Sequence, residues 1–121
     1  MNLAELLGID VSRSDAESAT ATLVADDQHL NPGGTVHGGA IATLVDVAMG
    51  AAVYAGGDDD DERPVTIEIK VNYLEAGEPG TVRAVATVRR RGSRFTVLEA
   101  EVTQGDRVLA FATGSFTTVS S

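Results

Sequence analysis

The chain has 121 residues, 43% of them hydrophobic but only 4% aromatic, which is enough for one domain (1–121) with a core of Ala, Val, Leu and Ile. Eighteen acidic residues against nine basic ones give a net charge of −9, with Lys70 the sole lysine; nucleic-acid binding needs a basic surface and is excluded. The absence of cysteine excludes disulfides, thiolate catalysis and Cys-zinc sites.

The N-terminal Met1-Asn-Leu-Ala-Glu-Leu-Leu7 lacks the basic n-region of a signal peptide, so a cytoplasmic location is expected. Residues 2–8 predict a short amphipathic helix with Leu3, Leu6 and Leu7 on one side, ended by Gly8. Ala19-Thr-Ala-Thr-Leu-Val-Ala25 alternates and predicts a strand. Residues 26–35 contain Asn-Pro and Gly-Gly and predict a loop.

The most informative segment follows: Asn31-Pro-Gly-Gly-Thr-Val-His37-Gly38-Gly39, then Ala40-Ile-Ala-Thr-Leu-Val-Asp46. From Gly38 to Ala55 apolar residues recur at helical spacing, at Ile41, Leu44, Val45, Ala48, Met49, Ala52 and Val53. The other face carries Gly39, Ala42, Thr43, Asp46 and Gly50. A helix that is apolar or small all round is expected to be buried, as a central helix wrapped by a sheet is. A carboxylate inside such a helix is costly without a partner, which marks Asp46 as a functional candidate beside the reading of an Asp satisfied by a neighbour. The free N–H groups at the helix start, next to unhindered glycines, form a candidate oxyanion site at Gly38.

Gly56-Gly-Asp-Asp-Asp-Asp-Glu62 reads as a solvated acidic loop; it lacks the ligand spacing of a calcium loop. Strands are predicted at 64–74, 80–91, 94–104 and 107–118, joined by short turns that imply antiparallel hairpins. The acidic, lysine-poor composition reads as a salt-adapted surface, with plain solubility as the alternative. No run approaches the roughly 18 apolar residues of a membrane span. There is no P-loop and no Gly-x-Ser-x-Gly elbow, and His29 and His37 lack metal-ligand spacing.

The segment Asn31 to Ala48 resembles the PaaI-like acyl-CoA thioesterases of the hotdog-fold superfamily: an Asn, a Gly-containing turn, His37-Gly38-Gly39, then an acid in the helix at Asp46. Val65-Thr-Ile-Glu-Ile-Lys-Val-Asn-Tyr73, Arg90-Arg-Gly-Ser-Arg-Phe95 and Glu99-Ala-Glu-Val102 resemble the later strands of that family, so the likeness spans residues 20–118. It implies an α+β hotdog fold, an antiparallel β-sheet wrapped around a long central α-helix. It implies hydrolysis of acyl-CoA to free acid and CoA, without metal or organic cofactor. Asp46 would be general base or nucleophile, and the Gly38 N–H the oxyanion donor. Asn31, His37 and Thr66 would position substrate and water. The family is known for dimers with shared sites and, commonly, dimers of dimers, so a homodimer, and further a homotetramer, is expected.

The residues alone leave alternatives open. Asn31 before Pro is commonly a turn former, a lone His37 before a helix is often a cap, and Thr66 reads as an ordinary strand residue. Arg89, Arg90, Arg91 and Arg94 are either exposed hairpin charges or guanidinium forks for CoA phosphates. The acyl group is not readable from Met49, Val53 and Tyr54, whose assembly decides the far wall of the pocket. A non-catalytic acyl-CoA-binding module on the same fold is the alternative function; a hotdog hydratase fits less well, because its Asp and His follow another order. Gly38 and Asp46 lie about 12 Å apart along one helix, too far to serve one carbonyl. Two antiparallel helices related by a two-fold axis near Ala42 would bring Gly38 of one chain to Asp46 of the other.

Overall fold

A computed structural model describes residues 1–55 and 62–120 of the chain. The helices are α1 (Leu3–Leu7) and α2 (Gly38–Ala55); the strands are β1 (Asp10–Asp15), β2 (Ser18–Ala25), β3 (Glu62–Tyr73), β4 (Gly80–Arg91), β5 (Thr96–Gln104) and β6 (Arg107–Ser120). The strands form one sheet in the order β1-β2-β4-β5-β6-β3, every neighbouring pair antiparallel. The sheet curls around α2, which is the hotdog arrangement. The acidic run at 58–61 lies outside the described residues.

Small side chains make this wrapping possible. On the inner face Ala19 opposes Ala86, Ala86 opposes Ala100 and Ala100 opposes Ala112, and none is more than 2% exposed. This row of four methyl groups crosses four strands and forms a shallow floor. Helix α2 lays Leu44, Val45, Ala48, Met49, Ala52 and Val53 into it, each at most 1% exposed. Each Leu or Val buried this way stabilises by about 1.5–3 kcal/mol. At Gly114, two residues further along β6, there is no room for a side chain: a Cβ there would stand 2.6 Å from Met49 Sδ and 3.1 Å from Ile69 Cγ2.

Four features differ from the sequence reading. Strand β1 was not foreseen, because Asp10-Val-Ser-Arg-Ser-Asp15 is polar and all six residues are exposed; as an edge strand it has no face to bury. The loop 26–35 contains a 3-10 turn at Asp27–His29 and a bridge between Leu30 and Val36. Helix α1, capped by Asn2 and ended by Gly8 at φ 75°, leaves Leu3 and Leu6 exposed and packs only Ala4 and Leu7 on the core. Helix α2 is not buried all round. Ala42, Thr43, Asp46, Val47 and Gly50 are half-buried and Gly39 is exposed, because the curled sheet leaves a gap between its edges β1 and β3.

Four register shifts interrupt the described strands, and two of them, in β3 and β4, reverse the inward–outward alternation beside α2. In β3, Thr66 opposes Phe116 and Glu68 opposes Ser115, so Ile67 is the extra residue. Thr66 and Tyr73 are seven positions apart, and a regular strand would send them to opposite faces. The bulge turns both toward α2. In β4, Val88 opposes Leu98 and Arg90 opposes Val97, so Arg89 is extra and Arg91 takes the inward phase. The Arg91 guanidinium then donates to Val53 O at 3.1 Å, Ala52 O at 3.4 Å and Ala16 O at 3.3 Å. It satisfies carbonyls at the negative C-terminal end of α2 and ties that end to the β1–β2 turn.

Two stability outcomes follow. Gly114→Ala should lower unfolding stability by about 1–3 kcal/mol through overpacking against Met49, read as a lower urea midpoint. Arg91→Ala should cost about 1–2 kcal/mol by uncapping α2. Urea unfolding with an unchanged midpoint in Arg91→Ala would show that the cap carries no weight.

Candidate active site

Asp46 sits on the open face of α2 with one direct side-chain partner among the described residues. The Thr66 hydroxyl donates to Asp46 Oδ1 at 2.6 Å, so the β3 bulge and the helix phase together build this pair. The bond engages Oδ1, and Asp46 borders a groove of about 420 Å³. Both edges of the sheet border this groove, with Val11 and Arg13 from β1 and Pro64 and Thr66 from β3. Val47, Tyr54 and Phe116 complete walls that are mainly apolar. Met49 and Val53, which the sequence offered as pocket wall beside Tyr54, point instead into the sheet and are buried.

Gly38 opens α2 at the other end. Its N–H has no acceptor among the described residues, whereas the next N–H, of Gly39, donates to His37 Nδ1 at 2.8 Å. His37 therefore caps the helix start, and the capped Nδ1 leaves Nε2 as the proton-bearing nitrogen of the neutral ring. Tyr73 donates its hydroxyl proton to Gly38 O at 2.8 Å. Gly38, Ile41, Tyr73 and Gly77 border a second groove of about 310 Å³. No residue that lines it also lines the Asp46 groove. Within one chain, then, the free N–H and the carboxylate belong to separate cavities on the same helix.

Asn31 organises the loop that delivers His37. Its Oδ1 accepts from Gly33 N at 2.9 Å and Thr35 N at 3.2 Å, and its Nδ2 donates to Thr35 Oγ1 at 2.8 Å. These bonds make it a turn former whose side chain is occupied within the loop. His29, to which the sequence reading assigned nothing, is 3% exposed. Its Nδ1 accepts from Asp26 N at 3.0 Å and its Nε2 pairs with Leu7 O at 2.8 Å. Asp26 Oδ1 also lies 3.4 Å from Nδ1, but a ring that accepts a backbone N–H there is the neutral tautomer, so this contact is not an ion pair. The His29 carbonyl accepts from His37 N at 2.8 Å, so a buried imidazole braces the strand of loop that leads into the site. A single His among polar loop residues gives no sequence signal of this.

The arginines separate. Arg91 caps α2 as described. Arg89 pairs with Glu99 at 3.0 Å on an exposed surface. Arg90 and Arg94 border one groove at the β4–β5 turn, with Arg94 set 5.9 Å from the Phe95 ring centroid. Tyr73 and Arg13 are site-lining residues that the sequence reading did not single out. The signal for Tyr73 was hidden by the bulge, and that for Arg13 by the polar edge strand. No group of three or more potential metal-ligating side chains occurs among the described residues, and no helix among them is long and apolar enough to cross a membrane.

Comparison with known proteins agrees with the geometry. Residues 33–111 match the model of the Thioesterase superfamily. A conserved protein of Pseudomonas aeruginosa is 40% identical, superimposes with a TM-score of 0.90 and is covered over 95% of its length by 98% of this chain. The E. coli PaaI protein, from the phenylacetic acid degradation operon, is 28% identical with a TM-score of 0.85, over 96% of this chain and 83% of that one. A Bacillus halodurans protein whose structure contains CoA is 33% identical with a TM-score of 0.86, over 97% and 75% of the two chains. With its helix wrapped by the sheet and its glycine turn leading into an acid-bearing helix, this chain belongs to the thioesterase superfamily and is a PaaI-like thioester hydrolase of the hotdog fold.

Proposed function

We propose that the protein hydrolyses acyl-CoA thioesters at two equivalent sites, each shared between the subunits of a homodimer. The observation that carries this reading is the separation of the two chemical groups. The free Gly38 N–H and the Asp46 carboxylate border grooves with no residue in common, on a helix that holds them about 12 Å apart. A two-fold axis near Ala42 closes that distance between chains. The open face of α2 is small enough for the approach, and β3 leaves its outer edge unpaired among the described residues, with Val65 and Ile67 exposed. The CoA bound to the Bacillus halodurans relative supports CoA as the carrier. The resemblance extends the assembly to a tetramer; the outer sheet face, where Val85 and Phe111 are exposed, is its contact in this reading. A cytoplasmic location belongs to the same reading.

In this mechanism the thioester oxygen lies against the Gly38 N–H of one subunit, at the positive end of α2. A water rests between Asp46 Oδ2 and the Thr66 hydroxyl of the other. Thr66 donates to Oδ1 and so has lone pairs free to accept from that water. Asp46 takes the water proton as the oxygen attacks the carbonyl carbon. The oxyanion is held by Gly38 until the C–S bond breaks. The thiolate then leaves with the proton from Asp46, giving free acid and CoA. His37 and Asn31 act by holding the glycine turn in shape.

Thiol release from a panel of acyl-CoAs tests the reaction. Asp46→Asn should lower kcat by about 100-fold or more while the protein stays folded; unchanged turnover would remove Asp46 from the mechanism. A single turnover in ¹⁸O-water should put the label in the released acid and none in Asp46, whereas label in Asp46 would show an anhydride and a nucleophilic carboxylate. Gly38→Pro, which deletes the N–H, and Asp46→Asn should each be inactive yet regain activity when mixed. Under random exchange about half the dimers would hold one intact site. Exchange proven by mass without recovered activity would mean that each site is built within one chain.

A further inference from the structure

We propose that Arg13 is a specificity-determining residue that reads an anionic group of the substrate, a carboxylate on the acyl chain or a phosphate of CoA. This rests on the thioesterase reading of the Asp46 groove. Among the described residues Arg13 is the sole basic residue lining that groove, and Asp46 the sole acidic one. Its guanidinium carbon lies 5.3 Å from the centroid of the Tyr54 ring, a cation–π distance that holds the planar group in place. A guanidinium held over a ring still carries the N–H fork that suits carboxylate or phosphate oxygens.

Three further observations point to a ligand anion. Among the described residues Arg13 joins none of the ion pairs. The walls around it, from Val11, Val47, Pro64 and Phe116, are apolar and offer an anion no competing polar partner. The chain as a whole carries a charge of −9, which repels an anionic substrate, and a local cation bordering the groove offsets that repulsion. Tyr54 stands eight residues along α2 from Asp46, about 12 Å. The anion that Arg13 meets is therefore remote from the reacting carbonyl, where it contributes binding and selectivity rather than chemistry.

Calorimetry with three non-hydrolysable thioethers tests this: S-octyl-CoA, S-(7-carboxyheptyl)pantetheine and S-octylpantetheine. The first carries phosphates only, the second a carboxylate only, the third no anion. Arg13→Met should weaken one or both anionic ligands by about tenfold or more, leave the neutral ligand within about twofold, and be partly rescued by Arg13→Lys. Loss confined to the CoA thioether identifies a phosphate; loss confined to the carboxyheptyl ligand identifies an acyl carboxylate. Equal loss on all three ligands would mean that Arg13 only packs β1 on α2. No loss on any ligand, or no binding of any to the wild-type protein, would overturn the proposal equally. Hydrolysis of the acyl-CoA panel by wild-type protein is measured in parallel; absent turnover across the panel with Arg13-dependent binding intact would sink the hydrolysis reading and leave Arg13's role standing.

Discussion

Everything in this molecule depends on how closely the sheet can approach the helix. The alanine row Ala19, Ala86, Ala100 and Ala112 gives the concave face no bulk, and Gly114 removes the last methyl where Met49 passes. Interiors pack to near-crystalline density, so a floor of methyls must be met by a helix drawn down onto it. A strongly curved sheet results, with edges that come round toward the far side of α2 without meeting. The low aromatic content of the chain is the compositional side of this geometry: larger rings on the floor would push the helix away.

The gap between the edges is where the proposed chemistry sits. Because β1 and β3 stop short of each other, one face of α2 stays open, and that face bears Asp46 with Thr66 donating to it. The start of the same helix is braced differently. His37 occupies the Gly39 N–H, Tyr73 holds the Gly38 carbonyl, and the Gly38 N–H is left over. In the proposed mechanism this donor, oriented but not satisfied by its described neighbours, meets the developing negative charge without reorganisation.

Behind that start lies a polar scaffold. Asn31 fills its own loop with hydrogen bonds, and buried His29 links α1, the 3-10 turn and the His37 backbone. With no buried side-chain nitrogen or oxygen lacking a partner among the described residues, the loop is specified by a complete network, which is the condition under which buried polar groups rigidify rather than destabilise. The glycine turn thus gains its shape from side chains that do not face either groove together with Asp46.

Much of this was legible from residues alone. The helix over 38–55 followed from apolar spacing without proline, and the period-two runs from 80 to 118 located β4, β5 and β6 to within a few residues, since turns at Gly92 and Gly105 interrupt them. The glycine turn and the intrahelical acid marked the two ends of the candidate chemistry, because free N–H groups and an isolated carboxylate are local properties of a chain. Three matters were decided only by the tertiary structure. The polar strand β1 exists because the β2 edge offers it hydrogen bonds, not because its side chains ask for burial. The open face of α2 depends on how far the sheet curls. The bulges at Ile67 and Arg89 decide which residues of β3 and β4 face the helix. They bring Thr66 and Tyr73 to one side and make Arg91, rather than Arg90, the helix cap. A bulge changes the phase of a strand by one residue through pairing with its neighbour, and no periodicity within the strand itself records where the extra residue falls.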